Sequence, residues 1–281
     1  TYQYLCIFNT DDTDYTDSNT ATVTVKPPSG GGDNDGGSGG SSGGNGGSGV
    51  VVTPSAPDAP NAPTQGSVNI PGTVDASGNV TANITNQTMI DAIDKALAQA
   101  RQNGTEQNGI ILTLNISTGG NPVNNLTVNL PKEVQDAIIA KGVSGLTITV
   151  GGSDIAIGMD LAALREMNRQ AGGNINLTAT RMNNATLAGN ARSAIGSRPA
   201  FDLKVNYGSG RAVSSFGAGS VSVTIPYTLG TNEHAGKVQA VYVDASGKVH
   251  WLISSVYDSV NKGLRFSTNH FSTYGVGYKQ D

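Results

Sequence analysis

The chain has 281 residues, of which 38 are glycine, with 14% charged residues and a net charge of −4. Its single cysteine, Cys6, excludes an intrachain disulfide framework. No apolar stretch approaches the roughly 18 residues of a membrane-spanning helix, and no Lys/Arg-rich run predicts nucleic-acid binding. At about 150 residues per domain, the length is compatible with two folded domains.

Residues 1–28 predict two short strands. Tyr2–Phe8 and Ala21–Val25 carry β-branched and aromatic residues, and Tyr4 stands two residues before Cys6. That spacing is typical of the tyrosine corner in an immunoglobulin-like domain. The segment therefore resembles the last two strands of a truncated immunoglobulin-like domain. We interpret Cys6 as a core residue of a strand, because no histidine is near it in sequence to activate a thiolate.

Residues 29–65 predict a linker of two kinds. The first part, 29–49, consists of glycine, serine, aspartate and asparagine, which bury too little to offset the entropy of ordering, so we expect disorder. The second part has a proline at every third position, which favours a stiff polyproline II arm: Pro54, Pro57, Pro60 and Pro63.

Residues 66–199 predict an α/β lobe with three helices. Apolar positions at helical spacing follow Met89, helix formers follow Pro131, and Asp160 precedes a third periodic run. Short β-branched runs predict the strands between them: Gly109–Ile116, Leu126–Leu130, Leu146–Val150, Ile155–Met159 and Asn174–Thr180.

Residues 200–281 predict an all-β, sandwich-like lobe, with a break near Gly196–Pro199. Helical periodicity ends here, and strand-like runs alternate with turns. The predicted fold class is therefore α+β: an α/β lobe, an all-β lobe and two strands of a truncated immunoglobulin-like domain.

Several runs in the large C-terminal part carry a family resemblance. They are Phe216–Tyr227, Val241–Val249, Leu264–Val276, Leu126–Pro131 and Ile157–Leu161. Together they resemble an S-layer- or adhesin-like module of Firmicutes cell-surface proteins. Such modules stand before S-layer homology repeats or wall anchors, and after bacterial immunoglobulin-like domains.

This resemblance implies a secreted protein at the bacterial cell surface or cell wall. It implies a non-catalytic structural module that acts as a spacer or a display element and needs no cofactor. The expected partners are a cell-wall polymer, neighbouring surface-protein domains or a glycan, without nucleic acid and without membrane insertion.

One short motif suggests an alternative function. His270-Phe271-Ser272 resembles the sequence at which ZU5-like and nucleoporin-type domains cleave their own chain. There a serine hydroxyl attacks the preceding carbonyl, which needs a nearby base and a strained peptide bond. In this alternative His270 is the base and the bond between Phe271 and Ser272 breaks. The structural interpretation is that His270 and Ser272 bind backbone groups while Phe271 packs in the core.

Carbohydrate or host-ligand binding is the other alternative. Sugar rings stack on exposed aromatic side chains, and the candidates are Trp251, Tyr242, Tyr227 and Tyr257. Trp251 and Tyr242 fall in neighbouring predicted strands, so the pair could form a platform. The structural interpretation is that they fill the core of a β-sandwich.

The remaining patterns predict little chemistry. His234, His250 and His270 lack metal-ligand spacing, so no metal site is expected. The glycine-rich stretch lacks the lysine and helix of a phosphate loop, and no Gly-x-Ser-x-Gly elbow occurs. Asn-x-Ser/Thr sequons, interpreted as structural, include those that start at Asn83, Asn86, Asn115, Asn125, Asn176 and Asn184.

Overall fold

The structure is a computed structural model that describes the backbone of residues 50–53 and, in full, residues 61–121, 123–151 and 155–279. The predicted immunoglobulin-like strands at 1–28, with Cys6, and the predicted disordered segment at 29–49 lie outside the described residues.

The three predicted helices are confirmed, and a fourth is added. The first helix is capped at Thr85, whose hydroxyl accepts a hydrogen bond from the Thr88 amide, and it ends at Gly104 in the left-handed conformation. The fourth spans only seven residues, too few to show a helical period in the sequence. The helices are α1 (Asn86–Asn103), α2 (Lys132–Ala140), α3 (Leu161–Ala171) and α4 (Gly189–Ile195).

Most of the longer strands alternate buried and accessible residues, as expected where one face meets a core. In the first half they are β1 (Val50–Thr53), β2 (Thr64–Val74), β3 (Asn79–Asn83), β4 (Ile110–Ser117), β5 (Asn125–Leu130), β6 (Gly145–Val150), β7 (Ala156–Asp160) and β8 (Ile175–Arg181). In the second half they are β9 (Ala200–Tyr207), β10 (Arg211–Ala212), β11 (Val221–Pro226), β12 (Val238–Val243), β13 (Val249–Leu252), β14 (Val256–Asp258), β15 (Gly263–Thr268) and β16 (Thr273–Tyr278).

The long strand β2 belongs to two sheets. Its first part pairs in parallel with β4 over Thr64–Pro71, and its end pairs with β3 over Gly72–Val74. Sheet 1 has the order β1-β2-β4-β6-β7-β11-β15-β14. Sheet 2 has the order β2-β3-β5-β8-β9-β16-β12-β13, with β10 on β9. The coarse prediction of a mixed α+β fold is confirmed.

Helices α1, α2 and α3 each connect a strand of one sheet to a strand of the other. The chain passes from β3 through α1 to β4, from β5 through α2 to β6, and from β7 through α3 to β8. The inner faces of the two sheets meet, as the rings of Phe266 on β15 and Tyr274 on β16 show with centroids 5.0 Å apart. Both residues belong to one continuous buried core.

Close packing of α1 on sheet 1 requires Gly66 on β2. A β-carbon added at Gly66 would lie 2.9 Å from Leu112 Cδ2 and 3.1 Å from Ala96 Cβ. Three of the five residues that α1 buries are alanines, and Ala92 and Ala96 are fully buried. A larger side chain at these positions would push the helix off the sheet.

The predicted boundary at residue 199 falls between two paired strands of sheet 2. β8 lies before it and β9 after it, and they pair from Ile175 to Arg181. In sheet 1, β7 likewise pairs with β11. Each sheet therefore contains strands of both predicted lobes, with the first-lobe strands on one side and the second-lobe strands on the other. Strands β1 and the start of β2 also fall within the predicted linker 29–65, where the β-branched run Val50–Thr53 favours extended structure.

Candidate functional site

A groove runs along β9, beside the end of β12, the start of β16 and the β9–β10 hairpin. Its volume is about 670 Å³. Charged and polar side chains share its walls with one aromatic ring, and the residues that matter below are Asp202, Lys204, Asn206, Asp244, Phe271 and Ser272. The groove therefore contains two of the three residues of the predicted self-cleavage motif.

Two residues of that motif are tied to neighbouring strands. The Ser272 hydroxyl donates a hydrogen bond of 2.8 Å to the Val243 carbonyl, and the Ser272 carbonyl accepts one of 3.0 Å from the Leu203 amide. The Phe271 ring meets the buried Phe216 ring edge-on, with centroids 4.9 Å apart. These contacts agree with the structural interpretation of Phe271 and Ser272.

His270 lies in an aromatic cluster. Its Nδ1 is 3.0 Å from the side-chain oxygen of Asn269, and its ring centroid is 4.9 Å from that of Tyr242. Burial lowers the pKa of His270, which favours the neutral imidazole that a general base needs. Its ring contacts the side chain of Asn269, and its backbone amide donates to the Thr268 hydroxyl. Self-cleavage between Phe271 and Ser272 stays a prediction, and the intact mass of the chain tests it.

The carbonyl of His270 is held by two hydroxyls. The Tyr274 hydroxyl donates to it at 2.7 Å, and the Thr268 hydroxyl donates at 2.9 Å. Burial raises the pKa of Tyr274 to about 12, so its hydroxyl stays protonated and can donate. The segment between β15 and β16 is thereby fixed on the core.

Trp251 and Tyr242 lie on opposite faces of sheet 2. Trp251 is paired with Val241, whereas Tyr242 is paired with His250 and with Tyr274. Since neighbouring residues of a strand point to opposite faces, the two rings form no common platform. Tyr242 stacks on His250 at 4.8 Å, and Trp251 packs against a small second core beneath α4.

The other two candidate tyrosines form part of an ion-pair network. Tyr257 donates a 2.9 Å hydrogen bond to the carbonyl of Tyr227, and the Tyr227 hydroxyl donates to Glu233. Arg198 pairs with Glu233 at 2.5 Å while lying 4.9 Å from the ring centre of Tyr278. Burial, and then the contact with Glu233, raise the pKa of Tyr227. Both tyrosines therefore have internal partners.

The outer face of sheet 2 carries a pattern that the sequence interpretation missed. β3 and β5 both read Asn-x-Thr-x-Asn, and β8 reads Asn-x-Thr-x-Thr. The strand registers align these side chains in three rows across the strands. We call them the Asn/Thr grid: Asn79, Thr81, Asn83, Asn125, Thr127, Asn129, Asn176, Thr178 and Thr180.

The signal for this grid was present in the sequons. Asn125 and Asn176 start sequons that lie in strands. Residues two apart in a strand share one face, so each of these sequons places its asparagine and its threonine on the same face of the sheet. A search for the same tripeptide in other strands would also have found Asn79-Val80-Thr81. The alignment across strands depends on register, which the sequence alone leaves open.

Comparisons with protein-family models, with curated proteins and with solved structures gave no match to this chain. Within the described residues, no group of three metal-ligating side chains converges. In the same part of the chain, every helix is too short or too polar to cross a membrane.

Proposed function

We propose that this chain is a non-catalytic structural module of a secreted bacterial cell-surface protein, where it acts as a spacer or a display element. The observation that carries the proposal is the placement of β2 and β16, the strands next to residues 61 and 279. β2 is paired with β1 and β3 on one side and with β4 on the other, and β16 lies between β9 and β12.

Such placement suits a domain that transmits tension. A force applied along β2 and β16 shears their ladders, so that many backbone hydrogen bonds must break together. β2 pairs with β4 through eight residue pairs, and β16 pairs with β12 through six. An edge strand, in contrast, peels off one hydrogen bond at a time. A module that separates neighbouring domains at a cell wall resists unfolding under tension better when its strands are loaded in shear than when an edge strand peels off.

Single-molecule pulling tests the mechanical part of the proposal. In a Cys6→Ser background, the handles are attached either at residues 61 and 279 or at residues 61 and 259. Residue 259 lies between β14 and β15 at the edge of sheet 1. We expect a several-fold higher unfolding force for the first pair. Equal forces, or a weaker first pair, would contradict a role in transmitting tension.

The location is tested separately on intact bacteria that produce the chain. An antibody against residues 61–279 should label intact cells, and external protease should remove the signal while a cytosolic marker survives. A signal that appears only after lysis would contradict the proposed cell-surface role.

A further inference from the structure

The Asn/Thr grid on sheet 2 is regular in two directions. Neighbouring strands are about 4.8 Å apart, and side chains two residues apart along a strand are about 6.8 Å apart. All nine side chains are half-buried or exposed, while the alternating residues, such as Val80 and Leu126, are buried. The face is therefore a regular array of amides and hydroxyls in contact with solvent.

The grid has no formal charge but many hydrogen-bonding groups. Each amide offers two donors and an acceptor, and each hydroxyl is both donor and acceptor. Contacts within the rows use only part of this capacity: Asn129 donates to Asn83 at 2.6 Å, and Thr180 donates to Asn125 at 2.6 Å. The remaining groups match a partner whose own groups are both donors and acceptors and which has no charge.

The three rows continue onto β9 and lead into the groove. Asp202, Lys204 and Asn206 are paired with Thr180, Thr178 and Asn176 in order. The same three β9 residues line the groove. Asp202 and Lys204 form an ion pair with each other at 2.5 Å, so the extension adds no net charge.

At the far side of the groove stand Phe271 and Thr273. Thr273 is paired with Asp202, so it continues one row of the grid onto a fifth strand. Phe271 is half-buried and supplies the groove with an aromatic surface. From β3 to β16 the surface spans five strands, or about 19 Å between the outer two. That length fits several units of a linear polymer rather than one small molecule.

We propose that the outer face of sheet 2 binds a neutral, linear polysaccharide, which crosses the strands from the Asn/Thr grid into the groove. Sugar hydroxyls are donors and acceptors without charge, as the grid requires, and pyranose rings have apolar faces that pack on an aromatic ring such as Phe271. This role goes beyond the proposed spacer function and uses residues different from Trp251 and Tyr242.

The test is co-sedimentation of the full chain with three insoluble, neutral, linear polysaccharides: microcrystalline cellulose, chitin and curdlan. We expect saturable binding to at least one of them. High salt should change this binding little, because the grid carries no formal charge and Asp202 and Lys204 neutralise each other. If the chain binds none of the three probes, the proposal is overturned, whatever the pulling and surface-labelling experiments show.

A charge-neutral pair of variants locates the surface. Thr127→Lys with Thr178→Glu replaces one cross-strand pair in the grid. The matched control is Thr113→Lys with Thr147→Glu, a cross-strand pair of half-buried threonines in sheet 1. We expect at least about tenfold weaker binding for the grid variant and wild-type binding for the control.

Circular dichroism and thermal unfolding show that each variant is folded before it is scored. If the folded grid variant binds like wild type, or if both variants lose binding equally, the grid is only a set of hydrogen bonds that stabilise the sheet, and the proposal fails.

Discussion

Two hairpins with nearly the same sequence have different surroundings in this molecule. The first is Val74-Asp-Ala-Ser-Gly-Asn-Val80 between β2 and β3, and the second is Val243-Asp-Ala-Ser-Gly-Lys-Val249 between β12 and β13. Their turns are alike. In each, the glycine amide donates to the aspartate carbonyl, and one carboxylate oxygen accepts from the amides two and four residues later.

The difference lies in what surrounds each turn. Asn79 donates from its side chain to the second carboxylate oxygen of Asp75 at 2.7 Å. In the second hairpin that place is taken by His250, whose Nε2 lies 2.9 Å from Asp244. Asp244 also lines the groove. Local sequence therefore decides the turn, while the sheet around it decides which residues complete its contacts.

Truncation of the valine that ends each hairpin should show the largest difference. Val80 is fully buried in the main core, whereas Val249 is half-buried beside α4. We expect Val80→Ala to lower the free energy of unfolding by about 2–3 kcal/mol and Val249→Ala by about 1 kcal/mol. Urea denaturation measures both values. Equal losses would show that the two cores are similarly packed.

The turn glycines come next in expected effect. Gly78 and Gly247 have φ values of 75° and 81°. Alanine at either position should cost about 1–2 kcal/mol, because a β-carbon disfavours the left-handed region. A β-carbon at Gly247 would also lie 3.0 Å from Ala188 Cβ. Urea unfolding should therefore find Gly247→Ala the more damaging change, and the reverse order would contradict this packing.

Removing the aspartates should produce a smaller and graded effect. Asp244 additionally accepts a 2.6 Å hydrogen bond from the Ser246 hydroxyl, so thermal unfolding should show a larger loss for Asp244→Ala than for Asp75→Ala. Side-chain hydrogen bonds hold the pKa of both carboxyl groups below the usual value of 3.8. The stability that the two carboxylates give to the folded state is therefore present above pH 3.8 and lost on acidification below it. Identical melting and acid profiles would argue against a role for the extra contact.

The smallest expected effect is a pH dependence near the second hairpin. Tyr242 stacks on His250 and also contacts His270. Because burial lowers the pKa of His270 below 6.5, the unfolded chain takes up the proton first as the pH falls, so stability decreases below that pH. His270→Gln should reduce this decrease, measured by urea unfolding at pH 7.5 and 5.5. His234→Gln, at an exposed loop position, is the control and should leave the decrease in stability between pH 7.5 and 5.5 unchanged.

Particular residues show where sequence reasoning succeeds. The apolar spacing after Met89, the stop at Gly104 and the cap at Asp160 are local features, and they correctly place α1 and α3. The turn at residues 75–78 is local in the same sense, since an aspartate and a glycine with positive φ are sufficient to form it. Such features depend on interactions within a few residues of the chain.

The neighbours of other residues could be known only from the tertiary structure. Trp251 and Tyr242 are in neighbouring strands, as predicted, but a register that pairs Trp251 with Val241 separates their rings. The strands on either side of residue 199 form one ladder, although the sequence shows a change of pattern there. Registers and sheet neighbours depend on contacts between residues far apart in the chain, which no local window contains.

The sequence by itself determined the three longer helices, several turns and the alternation of most strands, because short-range hydrogen bonds and side-chain periodicity specify them. Only the tertiary structure decided that β2 joins two sheets, that His270 and His250 flank one tyrosine, and that separate Asn-x-Thr tripeptides align as a grid. The physical reason is that burial of one apolar face fixes the register of every strand, and with it the arrangement of the polar side chains on the other face.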